Sequence, residues 1–525
     1  MNVELIFPEE WTEGLDVRRF MMMREAVLPA LEAQRPELES MYSEKMGRPE
    51  VDPVLLACIT VLQMMERRPD QAAVHSSLYD VRWRLALRLP TEWTAFHSTT
   101  LVNFRSRLAE SGKARLALEA GLEAMRQSGY LKGRRAVRVD STHVLAQVSA
   151  MSRLECVRET LRLALNFLSA FGGADAWEPW FTRYEDRRPD ELRGASADRL
   201  RLTMGHAGSD MRDILERAAA LGEIVSEAEP VALLRRVFGE QFEPREDRGE
   251  PAQRKAAPTG AVQNPHDPES VWSTKKSIGN AGWVGYKLQV CETAPEAPRK
   301  RGESTEAVIT AVVTQPATTS DHGSLATVLA EHGVVPEEVF ADAGYISSPA
   351  LHEADTQGYE LTGPIGAPPH SGSRFGTDSF VVDIPGRKAH CPANVPSSEC
   401  SRINEASRGI CYYFAWPRAA CSVCPLKDRC LSKRRPSAFR TLQVGEGHMI
   451  LQARRQLCKT PEYKNRMMRR SGIEGTHSEL KRGYGLRRCR YKGRAKTDLQ
   501  AQFTAAACNL RRWAARLCWL DRQKS

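Results

Sequence analysis

The sequence lacks any apolar run of the 18 or so residues needed to cross a bilayer. Its opening residues, MNVELIFPEEWTEG, also lack the basic start that a signal peptide requires. Both absences lead us to expect a cytoplasmic protein with no membrane contact. The 13 cysteines do not form an even set, which argues against a disulfide framework. Several fall in helical patterns (Cys58, Cys156, Cys508 and Cys518), whereas six lie between Cys391 and Cys430, a clustering expected of metal ligands in a reducing compartment. The tail is short of acids. From Leu431 to Ser525 there are 24 Lys and Arg against 6 Asp and Glu, so this fifth of the chain carries about +18 while the whole chain carries +10. Tyr463, Tyr484, Tyr491 and Trp513 are interleaved with those cations. Such a tail has the electrostatic footprint of a nucleic-acid partner, where neutralised phosphates release counterions.

At 525 residues the chain is too long for one core and suggests roughly three to four units. Residues 1–125 read as a helical domain, with helices expected at 54–65, 71–79, 81–89 and 98–109, the last with a basic face at Arg105 and Arg107. Several short helices of this kind suit a DNA-binding module and a plain bundle about equally. The period then changes: AVRVDSTHV, 136–144, alternates as a strand and carries Asp140, within a segment bounded at 130–150. A helical insertion with an exposed linker covers 151–268, its last part, 244–268, being rich in Pro, Gly and charge. Within 269–385, strands are expected at 285–291, 307–314 and 338–341, with a helix at 324–331 between the second and third. The third strand delivers Asp342 into the turn Ala343-Gly344-Tyr345, and the end of a strand before a Gly turn is where an α/β sheet exposes functional groups.

The densest chemistry lies in RSGIEGTHSELKRGYG, Arg470 to Gly485. On a helix Arg470, His477, Ser478 and Lys481 share the face of Glu474, beside an apolar stripe of Ile473, Leu480 and Tyr484. One carboxylate ringed by cations suits a metal-binding acid that meets a phosphate backbone. It also suits an ordinary solvated helix with ion pairs. Residues 386–435 hold Cys391-Pro and Cys421-x2-Cys424-x5-Cys430, with Cys400 and Cys411 between them. Thiolates at two-residue spacing can grip one tetrahedral Zn²⁺ in a ribbon-like fold, and four thiolates leave no open position, so this site reads as structural. Residues 436–525 form the basic C-terminal part.

Taken together, these residues resemble a bacterial insertion-sequence transposase with a DDE triad, most closely those of the IS1182 group. GRPEVDPVLL and STTLVNFRSRL are similar to the N-terminal helical domain of that family, VRVDSTHVLA to its first-Asp strand and VFADAGYIS to its second-Asp strand. Arg470, Glu474 and Lys481 have the family's R-x3-E-x6-K spacing. The Tyr that this signature places three residues before its Arg falls on Met467, with Tyr463 one turn away. The resemblance implies an α/β fold with an RNase H-like mixed-sheet catalytic core in which Asp140, Asp342 and Glu474 converge on two Mg²⁺ or Mn²⁺ ions. It implies transposon-end and target DNA as substrates, and a homodimer on DNA is expected from paired-end chemistry. Arg470, Lys481, Arg487, Arg488 and Arg490 would hold phosphate, and Cys391, Cys421, Cys424 and Cys430 a structural Zn²⁺.

Two other classes share these features: a non-catalytic DNA-binding descendant of a transposase, and a metal-dependent nuclease without strand transfer. Asp321, in TTSDHGS, is the nearest rival to Asp342, but Ser-Asp ahead of a helical run is expected to cap that helix.

Overall fold

The computed structural model describes residues 15–42, 51–133, 135–173, 175–186, 192, 194–243, 249–274, 282–296, 303–366, 374–405, 409–431 and 439–524. The opening MNVELIFPEEWTEG, the first residues of GRPEVDPVLL, the start of the linker and the basic stretch 432–438 lie outside them. Among the described residues no helix is long and apolar enough to cross a membrane.

A mixed sheet forms the centre. Its strands are β1 (Val137–Leu145), β2 (Val271–Ser273), β3 (Trp283–Thr293), β4 (Ile309–Pro316), β5 (Glu338–Ala341) and β6 (Glu360–Thr362). β3 runs antiparallel to β1, from Val137 opposite Thr293 to Leu145 opposite Gly285. Its other edge is shared by β2 and β4, both antiparallel. On the far side of β1 the sheet continues in parallel through β5 and β6. The spatial order is therefore β4-β3-β1-β5-β6, with β2 on the same edge of β3 as β4. The strands expected at 136–144 and 338–341 sit where they were expected to within a residue, the one at 285–291 extends by two residues at each end, and the one at 307–314 is shifted two residues along the chain.

Both faces are covered, as a sheet with parallel strands requires. Helices Leu325–His332 and Ser348–Gln357 close one face over Val137, Val139, Ala311 and Val339. The other face, through Val144, Tyr286, Leu288 and Val290, shares one core with the C-terminal helix Arg494–Lys524 and the N-terminal helices. Those N-terminal helices follow the expected pattern at Pro53–Glu66, Asp70–Tyr79, Val81–Ala86 and Thr99–Glu110. Asp52 caps the first by accepting from the Val54 N–H at 2.9 Å. Arg105 does not lie on a basic outer face. It is buried, its guanidinium donating to Asp70 at 2.7 Å and Gln63 at 3.2 Å, because its turn faces the neighbouring helices. The end of the linker is likewise packed rather than exposed: Asn264 and Asp267 are buried, and Asp267 accepts from Tyr286 Oη and from the Gly493 N–H.

The outer edge of β4 is occupied by the C-terminal helix. Asn509 accepts from Ile309 N–H at 2.8 Å and donates to Ile309 O at 2.7 Å, Gln502 donates to Val312 O at 3.0 Å, and Asp498 accepts from Thr314 N–H at 2.9 Å. Residues 498, 502 and 509 fall on one stripe of a 3.6-residue helix. Side-chain amides and a carboxylate thus supply the ladder that another strand would otherwise supply, and the edge is closed to foreign strands.

At the end of β3 a fully buried carboxylate, Glu292, ties four elements together. It accepts from Arg138 of β1 at 2.6 Å, from Arg512 of the C-terminal helix at 3.0 Å and from Thr476 of the helix Gly472–Arg482 at 2.7 Å. Arg512 also reaches Glu479 at 2.8 Å, and Arg138 donates to the Arg469 carbonyl at 3.0 Å. Burial pushes the Glu292 carboxyl up, but Arg512 and Arg138 outweigh it and hold the group below its ordinary value. A depressed carboxyl contributes stability above its unfolded-state pKa, about 4.3 for Glu, and loses that contribution as pH falls through its folded-state pKa. Glu292→Gln removes the charge shared by two buried guanidinium groups, leaving Arg138 only the Arg469 carbonyl and Arg512 only its other partners, so we expect a loss of roughly 3–5 kcal/mol. A thermal-denaturation series over pH 3 to 7 checks this: the wild-type midpoint should exceed that of the variant at neutral pH, and the two should converge on acidification.

Candidate active site

Asp140 and Asp342 come together through strand register. Val139 pairs with Ala341 across the parallel β1–β5 ladder, and each acid is the next residue on its strand. Paired residues of a parallel ladder point to the same face, and adjacent strands lie about 4.8 Å apart, so the two carboxyl groups emerge side by side where pairing ends. Asp140 is largely buried and Asp342 exposed. Burial pushes the Asp140 carboxyl up. The Ser141 N–H, which donates to it at 2.8 Å, works against this, while Asp342 and Asp321 push in the same direction as burial and Arg470 opposes them. The main cause is thus lost hydration, with repulsion between neighbouring acids second.

The turn that carries Asp342 is anchored by Tyr345, which is fully buried and whose hydroxyl donates to Gln289 of β3. Ala343–Tyr345 forms a single 3-10 turn directly after Asp342.

Glu474 is delivered by the helix Gly472–Arg482, preceded by a 3-10 turn at Met468–Ser471 that holds Arg470. The helix seats itself through the expected stripe, with Ile473, Leu480 and Tyr484 buried. Gly472 is needed for this seat, since a Cβ there would lie 1.9 Å from the Arg138 guanidinium. Glu474 itself stays exposed. Arg470 stands between the acids, 3.9 Å from Asp140 and 3.7 Å from Glu474. Lys481 is half-buried, and burial and Arg487 push its ammonium down while Asp140 opposes them. His477, expected among the surrounding cations, is buried instead. Burial lowers it to about 4, with Lys481 acting in the same sense, so it is neutral near pH 7.

The remaining phosphate-binding candidates separate. Arg487 and Arg488 are exposed on a segment bonded to the end of β1, with Leu145 N–H donating to Arg487 O at 3.0 Å and Cys489 N–H donating to Leu145 O at 2.8 Å. Arg490 turns inward and donates to Arg68 O at 3.2 Å, joining the tail to the N-terminal helices. Tyr463 does not face the acids either. It is buried, and its hydroxyl bonds both backbone groups of Gly363 at 3.1 Å, fixing the end of β6.

The Ser320-Asp321 pair expected to cap the helical run does so through its serine and not through Asp321. The cap is Ser320, whose hydroxyl accepts from the Gly323 N–H at 3.3 Å, whereas the Asp321 side chain makes no cap bond. Instead it accepts from Ser141 Oγ at 2.8 Å and from Lys287 Nζ at 3.1 Å. Lys287, Ser141 and Glu292 went unnoticed in the sequence. Two charges inside the otherwise apolar strand pattern WVGYKLQVCET were the available signal, because every residue of that strand is buried.

Cys391, Cys421, Cys424 and Cys430 line one small cavity of about 30 Å³ with Val395, Trp416 and Arg440. It lies beside a three-stranded sheet of Glu399–Glu405, Gly409–Ala415 and Thr441–Gly445. Burial pushes the Cys430 thiol up; Arg440 opposes this, and the three other cysteines add to it. Cys400 and Cys411 sit on the strands of that sheet and do not line the cavity. Among the described residues, no group of three or more His, Cys, Asp or Glu side chains is arranged to hold a metal ion as it stands.

Two family models match the chain: a transposase domain (DUF772) at residues 16–107 and a transposase DDE domain at residues 390–514. No curated protein and no solved structure matches it. Glu474, Arg470, Lys481 and the four cavity cysteines fall in the second match, while Asp140 and Asp342 lie between the two. These two matches on one chain are typical of IS1182-family transposases, and residues 390–514 carry the match to a transposase DDE domain.

Proposed function

We propose that the protein is an active transposase that cleaves DNA at insertion-sequence ends and joins the freed 3′ hydroxyl to target DNA, using Asp140, Asp342 and Glu474 as the catalytic acids of an RNase H-like core. The observation that carries this reading is that Asp140 and Asp342 each directly follow the last paired residues, Val139 and Ala341, of adjacent parallel strands, with Arg470 within 4 Å of both Asp140 and Glu474. The strand order β4-β3-β1-β5-β6, antiparallel on one side of β1 and parallel on the other, supports the core assignment.

The donor set suits hard divalent cations: three carboxylates, two of them side by side, with exposed access at Asp342 and Glu474. Asp140 would serve both ions, and Asp342 and Glu474 one each. Bound there, two Mg²⁺ or Mn²⁺ ions supply activation of the attacking oxygen and stabilisation of the leaving oxygen. The chain's own cations do the rest. Arg470 sits where positive charge meets two carboxylates, and Lys481 lies in the field of both Asp140 and Arg487, so the three cations present a phosphate-binding rim around the acids. Action on paired ends implies a homodimer on DNA.

Replacing Asp140 or Asp342 with Asn, or Glu474 with Gln, should lower cleavage and joining by orders of magnitude while DNA affinity largely survives. Incubation of 3′-ended oligonucleotides with Mg²⁺ checks this. Hydrolysis without any joined product would reduce the activity to that of a nuclease, and unimpaired turnover by the variants would end the assignment.

DNA contact is assigned mainly to phosphates. Charge reversal at Arg487 and Arg488 should weaken binding to unrelated sequences alike and flatten the salt dependence by about one unit of slope for each phosphate no longer neutralised. Fluorescence anisotropy across a salt series reads both. Altered sequence preference at constant slope is the contrary result.

The cysteine cavity is assigned to structural Zn²⁺, on the four cysteines that line it together at ribbon-like spacing. Purified protein should contain about one equivalent of zinc by elemental analysis, and Cys424→Ser or chelation should lower the melting temperature. Metal-free protein with an unchanged melting temperature would remove the site.

A further inference from the structure

Asp321 has no part in the chemistry described so far, yet it lies directly beneath it. Along β1 successive side chains alternate between faces, so Asp140 and Ser141 point to opposite sides of the sheet. The register agrees: Asp140 lies opposite Val290, which packs with the C-terminal helix, whereas Ser141 lies opposite Gln289, whose side chain holds Tyr345 on the other face. Asp321 reaches Ser141 on that other face. Its Oδ1 accepts from Ser141 Oγ at 2.8 Å and from the nearly buried Lys287 at 3.1 Å, and Lys287 also donates to the Thr319 carbonyl. The other oxygen faces the turn after Asp342, where a Cβ on Gly344 would stand only 3.2 Å away. One carboxylate thus bonds the residue after Asp140 and lies beside the turn after Asp342.

We propose that Asp321, held by Lys287, is a positioning residue that locks β1 to the Asp342 turn and so sets the spacing of Asp140 and Asp342. Ser141 is the link. Its hydroxyl is fixed by Asp321 from below, and its backbone N–H holds Asp140 Oδ1 at 2.8 Å from above. Gly344 leaves room for the Asp321 carboxylate against the turn, which gives a physical reason for a glycine at that place in Asp-Ala-Gly-Tyr. A further carboxylate on the catalytic face would add repulsion there; on the reverse face, paired with Lys287, it adds rigidity. This proposal rests on the assignment of Asp140 and Asp342 as catalytic acids.

The test uses the full-length protein with Asp321→Ala, Asp321→Asn, Ser141→Ala, Lys287→Met and the double variant Asp321→Ala/Ser141→Ala. Mn²⁺ affinity is read by electron paramagnetic resonance without DNA, alongside kcat and KM for end cleavage and the melting temperature. Expected are a roughly 10–100-fold weaker Mn²⁺ affinity and a matching fall in kcat for Asp321→Ala, with KM for DNA unchanged, as for loss of a residue that orients metal ligands. Asp321→Asn, which retains an oxygen able to accept from Ser141, should recover part of the loss. The double variant should be no worse than the worse single one, because both remove the same link. Ser141→Ala removes only a hydroxyl, so it remains informative if Lys287→Met does not fold. Unchanged Mn²⁺ affinity and kcat in Asp321→Ala would overturn the proposal. So would an Asp321→Asn as inactive as Asp140→Asn while Ser141→Ala and Lys287→Met stay fully active, since Asp321 would then act directly on the metal. Full activity of Asp140→Asn would instead overturn the underlying assignment, and the two failures are read from different variants.

Discussion

The fold depends most on one buried charge. Glu292 stands at the end of the central β3 strand, and its two oxygens bind Arg138 of β1, Arg512 of the C-terminal helix and Thr476 of the helix that bears Glu474. A lone carboxylate in that position would be prohibitively desolvated, and two buried guanidinium groups would be equally costly without it. Their mutual requirement leaves one arrangement in which all are satisfied. That arrangement brings the C-terminal part of the chain, 184 to 220 residues beyond Glu292, against the first strand of the core. Glu474 lies two residues from Thr476, so the same contact that secures the helix also sets where its acid emerges.

Above that anchor, the site is a matter of charge held in register. Strand pairing brings Asp140 beside Asp342, and Arg470 moderates the repulsion that follows by standing between Asp140 and Glu474. The divided roles of the arginines show how burial sorts residues of one type. Arg138 and Arg512 are interior counter-ions, Arg105 and Arg490 join helices, and Arg487 and Arg488 remain at the surface. A count of positive charge in the tail therefore overstates what is free to meet a phosphate.

The N-terminal helices and the C-terminal helix share one hydrophobic core with a face of the sheet. The C-terminal helix also closes the edge of β4 through Asp498, Gln502 and Asn509. Segments matched by two separate transposase family models are in this way parts of one packed body, with the strands that lead to Asp140 and Asp342 between them in sequence.

Local pattern was sufficient for much of this. Alternation marked β1, and the Ile473, Leu480 and Tyr484 stripe marked the seat of the Glu474 helix, because periodicity acts within a few residues. The candidate acids Asp140, Asp342 and Glu474 and the four cysteines that line the cavity stand out for the same reason, each lying in a short pattern of its own. Partnership was not legible. Nothing near Arg105 announces Asp70, nothing near Asp321 announces Ser141 and Lys287, and nothing near Glu292 announces an arginine 220 positions later. Which charges are buried, and against which partners, depends on elements meeting across the sheet, and only the tertiary structure decides that.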